Sequence, residues 1–551
     1  MAFCICSSFP VCNIPIHSKW KSFSYNGSSF RRLIVFSTSQ SDTTNKTSIE
    51  DVTITRRSAN YHPAIWDYDY VQSLRNDFVQ DESYKERSRK LKEEVRMMLG
   101  NVVDPLEKLE LIDTLQRLGL SYHFEAEINN TLKNISSDRI NVFTYFMDDV
   151  GNIKSSLNQD FKGLLNLYEA SYLLLEGETM LENARELAAK LLKQYLKENN
   201  DHQYLSMLVD HALELPLHWR MPRLEARWFI DEYEKSKDKN PIILELAILD
   251  YNIVQSIHQE DLRYASTWWK ELGLGKRFTF ARDRLMENFL WTVGMEIAPE
   301  DGKSRIFLTM VYALITVIDD VYDLYGTLDE LELLTDVVER WDINAIQRLP
   351  DYMKIYYHAL YNSINEMAFD TLKEQGINVI PFLKKLWTDL CKALLLEAKW
   401  YYIGYTPTLQ EYIDNAWISI GGSLVLAHSY LMEEGLHSIQ ENYSDIVYRS
   451  SLIIRLANDL GTSSYELKRG DIPKSIQCYM HESGASEEEA REHIKKLIDS
   501  TWKKINEDQM AKLPFPLSLL MYQNGDGHGI GNEETKDRVL SLFVHPIFLP
   551  K

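Results

Sequence analysis

The segment from Leu314 to Asp323, LITVIDDVYD, ends an apolar helical run with two carboxylates, Asp319 and Asp323. Four residues advance an α-helix by about 400°, so these two side chains lie about 40° apart on one face, and Asp320 points elsewhere. Paired carboxylates repel each other unless divalent cations lie between them, and Mg²⁺ commonly takes one or two carboxylates with phosphate oxygens and water. The segment predicts a magnesium site or, more simply, a solvated acidic face.

Helical patterns continue along most of the chain after about residue 83. Apolar residues recur at spacings of three and four in 106–112, 163–175 and 185–196, and alternating strand patterns are rare. Only 23 Gly and 16 Pro occur among 551 residues, as is typical of helical rather than turn-rich proteins. No fixed-period repeat is present. The sequence therefore predicts an all-α fold.

The chain is too long for one ordinary core, which predicts two helical domains. The sequence Leu272-Gly273-Leu274-Gly275 follows a pair of tryptophans and is the best candidate for the seam between them. The predicted organisation is a leader at 1–50, an N-terminal helical domain at 51–272 and a C-terminal domain at 273–551.

The leader differs in composition from the rest of the chain. Residues 1–49 hold eleven Ser and five Lys or Arg, and Asp42 is their single acid. Such a basic, Ser-rich segment matches an organelle transit peptide better than a secretory signal, with a disordered cytosolic tail as the alternative. Past the leader only Cys391 and Cys478 remain, far apart, so neither a disulfide framework nor a zinc pattern is predicted.

Charge and hydropathy exclude two classes of partner. The formal net charge is −21, and so acidic a chain does not attract a nucleic acid without a local basic patch. No window offers about 20 uninterrupted apolar residues, the length of a membrane-spanning helix. We therefore expect neither nucleic acid nor a membrane as a partner.

A second set of oxygen donors lies further along the chain. Asn458, Thr462 and Glu466 follow one another at spacings of four, which stacks an amide, a hydroxyl and a carboxylate along one helical face. An all-oxygen set of this kind suits a further Mg²⁺ ion. Together with Asp319 and Asp323 it predicts a cation clamp.

Basic residues accompany both sets of donors. Arg282 and Arg284 precede the aspartates, Arg455 lies three residues before Asn458, and Lys474 follows Glu466 by eight. Arginine forks match phosphate oxygens, and lysine adds a compact charge. Each residue alone would be an ordinary salt-bridge partner. As a group around two metal sites they indicate a diphosphate pocket.

Aromatic side chains between the motifs either form the core or line a cavity in which ring faces stabilise a cation. The candidates are Phe289, Trp291, Tyr312, Trp417 and Tyr522. The pair Gly421-Gly422 predicts either a helix kink with exposed carbonyls or close helix packing, and the sequence does not choose between them.

With these motifs in place, the chain resembles the plant class I terpene synthases, and within them the angiosperm monoterpene synthase group. Arg56-Arg57, eight residues and Trp66 reproduce the paired-arginine and tryptophan signature of that group. The stretches RDRLMENFLWTVG from Arg282 and DDVYDLYGTLDELEL from Asp319 are also similar to it. The resemblance covers roughly residues 55–551.

The resemblance implies an N-terminal α-barrel domain, a C-terminal α-bundle with the active site, geranyl diphosphate as substrate and three Mg²⁺ or Mn²⁺ ions. By motif position, Asp319 and Asp323 would bind two ions with support from Asp320. The third ion would be bound by Asn458, Thr462 and Glu466. The diphosphate would be held by Arg282, Arg455 and Lys474, and the closed site would be capped by Arg56 and Arg57.

The mechanism expected from this resemblance begins with metal-assisted ionisation, since the DxDD motif of protonation-initiated cyclases does not occur in the sequence. Trp291 would steer the carbocation, and the departed diphosphate is the favoured terminating base, with Tyr522 and Asp526 as weaker candidates. The expected products are cyclic or acyclic C10 monoterpenes or monoterpene alcohols.

Isoprene-forming relatives shorten the cavity with Phe residues where this chain is expected to have Leu290 and Ile454, which favours a C10 over a C5 substrate. Tyr312 replaces the small residue or Asn of several cyclising relatives and is expected to shape the product ratio. The alternatives are a dual C10/C15 synthase of linalool/nerolidol type, a chain-elongating prenyl synthase and a non-catalytic helical scaffold. We expect a monomer or weak homodimer in the plastid stroma.

Overall fold

The structure is a computed structural model that describes residues 56–75, 78, 82–137, 154, 159–199, 204–433, 439–510, 528 and 533–549. Within these ranges the regular elements are helices, and no β-strand occurs. The predicted all-α fold class is confirmed. The leader predicted at 1–50 lies outside the described residues, as do Tyr522 and Asp526.

Nine α-helices are described in the N-terminal half. They are α1 (Tyr68–Ser73), α2 (Glu82–Asn101), α3 (Pro105–Arg117), α4 (Glu125–Ser137), α5 (Phe161–Ala170), α6 (Thr179–Glu198), α7 (Tyr204–Glu214), α8 (Pro222–Lys235) and α9 (Pro241–Leu272). The helix α9 ends where Gly273 adopts a left-handed conformation with φ of 67°, which glycine reaches without steric cost.

Twelve further α-helices are described after Gly273. They are α10 (Leu274–Arg277), α11 (Leu285–Met295), α12 (Gly302–Asp320), α13 (Leu328–Arg340), α14 (Asp351–Gln375), α15 (Ile380–Ile403), α16 (Leu409–Ser419), α17 (Gly422–Glu433), α18 (Ile439–Arg469), α19 (Ser475–Ser483), α20 (Glu487–Met510) and α21 (Glu533–Phe543). A π-helical turn, Val321–Tyr325, extends α12.

Local sequence explains where several of these helices begin. Asn240 precedes Pro241 and its side chain accepts from the amides of the first turn of α9. Thr327 and Glu330 form a reciprocal capping box that starts α13 directly after the π turn. The Thr327–Glu330 cap fixes the direction in which the chain continues after the segment that carries Asp323.

The long helix α9 joins the two halves, because it packs against α2 on one side and against α11 and α12 on the other. A buried ion pair reinforces this junction: the Nε of Arg305 on α12 donates to Asp261 on α9 at 2.9 Å. The same guanidinium donates to the carbonyl oxygens of Glu296 and Pro299 after α11. The position of α12, which carries the aspartates, is therefore tied to the N-terminal half.

The helices α11, α12, α15, α17 and α18 surround a common space in the C-terminal half. Large apolar clusters lie outside it, formed chiefly by α12 to α15 on one side and by α16 with α18 to α20 on another. None of the described helices is at once long enough and apolar enough to cross a bilayer.

Candidate active site

The space between these helices is a cavity open to solvent, and its empty space, with the solvent at its mouth included, is about 1100 Å³. Eight of the residues that the sequence singled out for ions, diphosphate or both border it together: Arg282, Asp319, Asp323, Arg455, Asn458, Thr462, Glu466 and Lys474. Residues separated by up to 192 positions along the chain thus face one volume. The two oxygen-donor faces do not point apart into solvent.

The first acidic set lies where α12 passes into the π turn. Asp319 belongs to the α-helix and Asp323 to the π turn, whose widened geometry is closed by the amide of Gly326 donating to the carbonyl of Val321 at 2.8 Å. The expectation of one continuous α-helix through Asp323 is wrong in this detail. Both carboxylates nevertheless line the same cavity.

Negative charge accumulates at this point. Burial, and after it the charge of Asp319, raises the pKa of Asp323 well above its ordinary value. The two carboxylates also lie at the C-terminal end of α12, where the helix dipole is negative. A cation bound between them would relieve both effects.

The second donor set lies along α18. Asn458, Thr462 and Glu466 all border the cavity, as their spacing predicts. The Oε2 atom of Glu466 is buried and has no hydrogen-bond partner within the described part of the chain. A buried carboxylate oxygen without a donor is costly unless something else meets it. A metal ion is the ligand that this oxygen-only set suits.

The donor set fits a divalent ion that is shared with a bound anion. Among the described residues, no three His, Cys, Asp or Glu side chains come close enough to hold an ion alone. Mg²⁺ is usually held by one or two carboxylates, with the rest of its shell supplied by phosphate oxygens and water. Asp319, Asp323 and the Asn458–Thr462–Glu466 trio meet that requirement, and the basic residues beside them supply the place for the anion.

Asp320 takes no place in the cavity wall and instead holds Arg282. Its fully buried carboxylate accepts from the backbone N–H of Arg282 at 2.7 Å and from its Nε at 3.1 Å. The Nη2 of the same guanidinium reaches Asp319. The second aspartate of the motif therefore aims an arginine at the first.

Arg455 has an equivalent support on α18. Its Nε donates to Asp459, which is fully buried, at 2.7 Å. Asp459 also accepts from the hydroxyl of Tyr412 at 3.0 Å and from the amide of Ser475 at 3.1 Å. Sequence reasoning missed Asp459, although the signal was present, since it follows Asn458 as Asp320 follows Asp319.

Lys474 is buried beside Glu397, which the sequence analysis also missed. The Nζ of Lys474 lies 3.5 Å from the Glu397 carboxylate, and that carboxylate also accepts from Ser419 and Asn415. Burial lowers the pKa of Lys474, but Glu397, Glu466 and Asp323 outweigh it and raise that pKa above its ordinary value. The lysine is therefore a permanent cation in the cavity wall.

The rest of the cavity wall is mostly apolar and aromatic, although Thr316, Glu397 and Ser419 also border it. Trp291 and Tyr312 meet edge to face with ring centroids 5.5 Å apart, and the Tyr312 hydroxyl donates to the sulfur of Met295 at 3.1 Å. His528 stacks on Trp291 at 4.5 Å, and its Nε2 lies 3.1 Å from the Oδ1 of Asn288. His528 was not predicted, although it follows Asp526 by two residues in the sequence.

The structure also places the remaining candidates for the cavity wall. Leu290 does not line the cavity but lies in the core that includes the N-terminal helices, so its predicted role in cavity length is wrong, whereas Ile454 does line it. Phe289 packs against Phe543 in that same core. Trp417 meets Tyr448 outside the cavity wall.

Arg284 also lies away from the cavity: its Nη2 donates to the carbonyl of His62 at 2.8 Å. Of the two arginines that flank Asp283, only Arg282 faces the cavity. Arg284 secures the N-terminal segment instead.

Gly421 and Gly422 satisfy both of the alternatives left open by the sequence. Gly421 has a φ of 78° and separates α16 from α17, so the helix is interrupted at the cavity wall. A Cβ on Gly422 would come within 2.8 Å of the Ser451 hydroxyl, so this position also permits close packing on α18. Backbone and cavity thus approach each other where side chains would obstruct them.

The N-terminal segment runs across the C-terminal half beside the acidic motif. Arg56 forms a two-pronged ion pair with Glu330 at 2.8 Å and donates to the carbonyl of Tyr325 at 2.9 Å. Arg57 donates to the carbonyl of Asp323 and to the carboxylate of Asp471, each at 2.8 Å. The paired arginines are thus anchored on the turn that carries a predicted metal ligand.

Comparison with protein-family models gives two matches. Residues 270–504 match the metal-binding domain of the terpene synthase family, and residues 65–141 and 134–213 match the terpene synthase N-terminal domain. All of the residues predicted to bind ions in the cavity fall within the first match.

Curated relatives are similar over most of their length. The chain is 56% identical to the (-)-alpha-terpineol synthase of Vitis vinifera, over 90% of this chain and 91% of that protein. It is 54% identical to the chloroplastic myrcene synthase of Quercus ilex, over 90% and 91%.

Two solved structures are similar in fold as well as in sequence. Limonene synthase with 2-fluorolinalyl diphosphate has a TM-score of 0.85 and 41% identity, covering 90% of this chain and 100% of that chain. Isoprene synthase from grey poplar leaves, in complex with three Mg²⁺ ions and dimethylallyl-S-thiolodiphosphate, has a TM-score of 0.79 and 42% identity, covering 88% and 99%.

Proposed function

This chain belongs to the terpene synthase family and is a monoterpene synthase, and we propose that it ionises geranyl diphosphate and converts the allylic cation to a C10 monoterpene or monoterpene alcohol. One cavity carries the proposal: oxygen donors and three basic residues lie in one part of its wall, and Trp291 and Tyr312 lie in another. A diphosphate needs the first part, and a hydrocarbon cation needs the second.

The enzyme uses a divalent metal, Mg²⁺, and the proposal extends to three ions, with Mn²⁺ as a substitute. Asp319 and Asp323 hold two ions, and Asn458, Thr462 and Glu466 hold the third. When bound, these ions neutralise the charge that develops on diphosphate as its bond to the allylic carbon breaks. The unpartnered oxygen of Glu466 and the raised pKa of Asp323 support this assignment.

Three cations of the chain itself hold the diphosphate. Arg282, Arg455 and Lys474 each border the cavity, and buried carboxylates fix them: Asp320, Asp459 and Glu397, respectively. Charges that are already oriented stabilise the leaving group without reorganisation during the reaction. Each of these acids therefore supports catalysis through the cation beside it.

The carbocation must be shielded from water and then lose a proton. Trp291 stabilises the cation through its aromatic ring, and the cap formed by Arg56 and Arg57 keeps water away during the first steps. We propose the departed diphosphate and, among the described residues, the imidazole of His528 as proton acceptors for the last step. Tyr522 and Asp526, which the sequence offered for this step, lie outside the described residues.

At position 454 the cavity wall carries Ile instead of the Phe expected of C5-forming relatives, which supports a C10 substrate. The enzyme is a plastid protein, and we assign it to the stroma. The chain divides into a leader at 1–50, an N-terminal domain at 51–272 and a catalytic domain at 273–551, and it acts as a monomer or weak homodimer.

The test is turnover by the full chain with Mg²⁺, using geranyl, neryl and farnesyl diphosphates in parallel and gas chromatography of the volatile products. Release of C10 compounds from geranyl diphosphate, abolished by a chelator, is expected. C15 products from farnesyl diphosphate would establish a dual C10/C15 enzyme. No volatile product from any of the three would contradict the proposal and leave the scaffold alternative.

A further inference from the structure

The ring of Tyr61, in the N-terminal segment, lies between two arginines. The guanidinium of Arg282 is 5.2 Å and that of Arg469 is 5.5 Å from the ring centroid. Arg282 is held by the aspartates at the end of α12, whereas Arg469 ends α18, three residues after Glu466. One aromatic ring thus touches a cation beside each of the two oxygen-donor sets.

Polar contacts continue from Arg469 back to the N-terminal segment. Asp471 accepts from Arg469 through Nε at 3.1 Å and through Nη2 at 2.8 Å, and its other oxygen accepts from Arg57 at 2.8 Å. Arg57 in turn donates to the carbonyl of Asp323. Tyr61, Arg469, Asp471 and Arg57 therefore form a strap across the ends of α12 and α18, which we call the Tyr61 strap.

We propose that Tyr61 is a positioning residue that aligns Arg282 for the diphosphate when the N-terminal segment lies in place across the site. This inference rests on the proposed function and adds a residue to it. A neutral ring with an electron-rich face attracts both guanidinium groups and separates two like charges, which would otherwise repel each other. Docking of the segment and orientation of Arg282 thereby become one event.

The ring, more than the hydroxyl, carries this role. The hydrogen bond that the phenol accepts from Nη1 of Arg469 is long at 3.4 Å. The backbone next to Tyr61 is held independently, because the carbonyl of His62 accepts from Arg284 at 2.8 Å. Replacement of the ring should therefore loosen the arginines without detaching the whole segment.

The experiment compares full-length Tyr61→Phe, Tyr61→Leu and wild type. Tyr68→Leu is the matched control, because Tyr68 begins α1 just after this segment and its ring also faces a cation, Lys270 at 3.5 Å, that does not border the cavity. Steady-state kinetics with geranyl diphosphate and the alcohol fraction of the products are measured. Hydrogen exchange of residues 56–66 with Mg²⁺ and inorganic diphosphate gives a readout that needs no turnover.

Loss of one or two partly exposed cation–π contacts predicts that Tyr61→Leu lowers kcat/KM about tenfold, mainly through kcat. Its alcohol fraction should rise as water enters, and residues 56–66 should exchange faster. Tyr61→Phe and Tyr68→Leu should stay within about twofold of wild type. In a double-mutant cycle with Arg469→Gln, the losses should be clearly less than additive.

If wild type is active and Tyr61→Leu has the same kinetics and the same hydrogen exchange, the inference is overturned and the proposed function stays intact. Equal damage from Tyr61→Phe and Tyr61→Leu would also overturn it, because the hydroxyl would then be responsible. If Tyr61→Leu unfolds, Arg469→Gln decides the question: unchanged exchange of residues 56–66 in that variant would count against the strap, and faster exchange would support it. An inactive wild type would instead remove the proposed function.

Discussion

The carboxylate of Asp459 lies 2.7 Å from the Nε of Arg455, one helical turn earlier on α18, and it is fully buried. Asp320 has the same relation to Arg282: it too is fully buried, and it too follows a predicted metal ligand by one residue. Each oxygen-donor motif thus contains at least one acid that faces the cavity and a further acid that holds an arginine. The metal-binding and anion-binding halves of the site are built by the same short segments.

Asp459→Asn should lower both stability and turnover. The amide nitrogen would meet groups that are themselves donors, from Arg455, Tyr412 and Ser475, so a buried charge would lose its partner, at a cost of about 3–5 kcal/mol. We expect a lower melting temperature. We also expect kcat/KM to fall at least tenfold, because the loss of one hydrogen bond to a charged group costs about that much free energy.

The matched control is Asp445→Asn on the same helix. Asp445 also pairs with an arginine four residues away, but its side chain is 75% exposed, so the pair is worth less than about 1 kcal/mol. Equal effects of the two substitutions would contradict the role given to Asp459.

Asp319→Ala should abolish release of volatile C10 products while the helical circular dichroism stays unchanged. The side chain is a third exposed and takes little part in the core, so its loss removes an ion ligand and little packing. Asp351→Ala, at a side chain that is 94% exposed, serves as the control. Retained turnover in Asp319→Ala would refute the metal assignment.

Lys474→Met should reduce kcat/KM by roughly 10- to 100-fold, since a hydrogen bond to a charged group contributes about 1.5–3 kcal/mol. It also removes the cation that Glu397, Glu466 and Asp323 share, so affinity for diphosphate, measured by calorimetry with Mg²⁺, should fall. Lys385→Met, on the exposed face of α15, should change neither quantity. Unchanged diphosphate affinity in Lys474→Met would count against its role.

Tyr312→Asn should change the product distribution more than the total rate. The ring occupies the cavity wall next to Trp291, and Asn is much smaller and polar, so the substitution enlarges the space near the cation. Gas chromatography of products from geranyl diphosphate gives the ratio directly. The idea that Tyr312 shapes the product ratio is to be dropped if that ratio stays the same.

His428 predicts a pH dependence of stability. Burial lowers the pKa of His428 to about 4, against about 6.5 in an unfolded chain. Above pH 6.5 the imidazole is neutral in both states; as the pH falls toward 4 only the unfolded state gains the proton, and the free energy of unfolding declines by up to roughly 3 kcal/mol. The loss is complete once the folded state is protonated too.

Urea titrations of wild type and His428→Gln between pH 7 and pH 4 measure this pH-dependent decline in the free energy of unfolding. The variant should show a flatter decline with falling pH, although it is less stable at pH 7 because the bond from Nδ1 to the Leu424 carbonyl changes. His481→Gln, at an exposed position on α19, should follow the wild-type curve. Parallel curves for His428→Gln and wild type would rule out the assignment.

Much of the fold and of the site was predictable from local pattern. Spacings of three and four placed the apolar residues on helices, and spacings of four placed Asn458, Thr462 and Glu466 on one face, where the structure has them. The π turn at Asp323 was not predictable, because its hydrogen bonds depend on how the chain leaves α12. Glu397 gave no local signal, since its partner Lys474 is 77 residues away.

The sequence by itself determined the helical class, the two oxygen-donor faces and the cations near them, because helical periodicity and motif spacing are local properties. Only the tertiary structure decided which apolar residues line the cavity. Phe289 and Trp291 are two residues apart on α11 and so lie about 200° apart around its axis, which sends one into the core and the other toward the cavity. The rotation of that helix is set by packing against α9, α12 and α21, and these contacts form only when the chain folds.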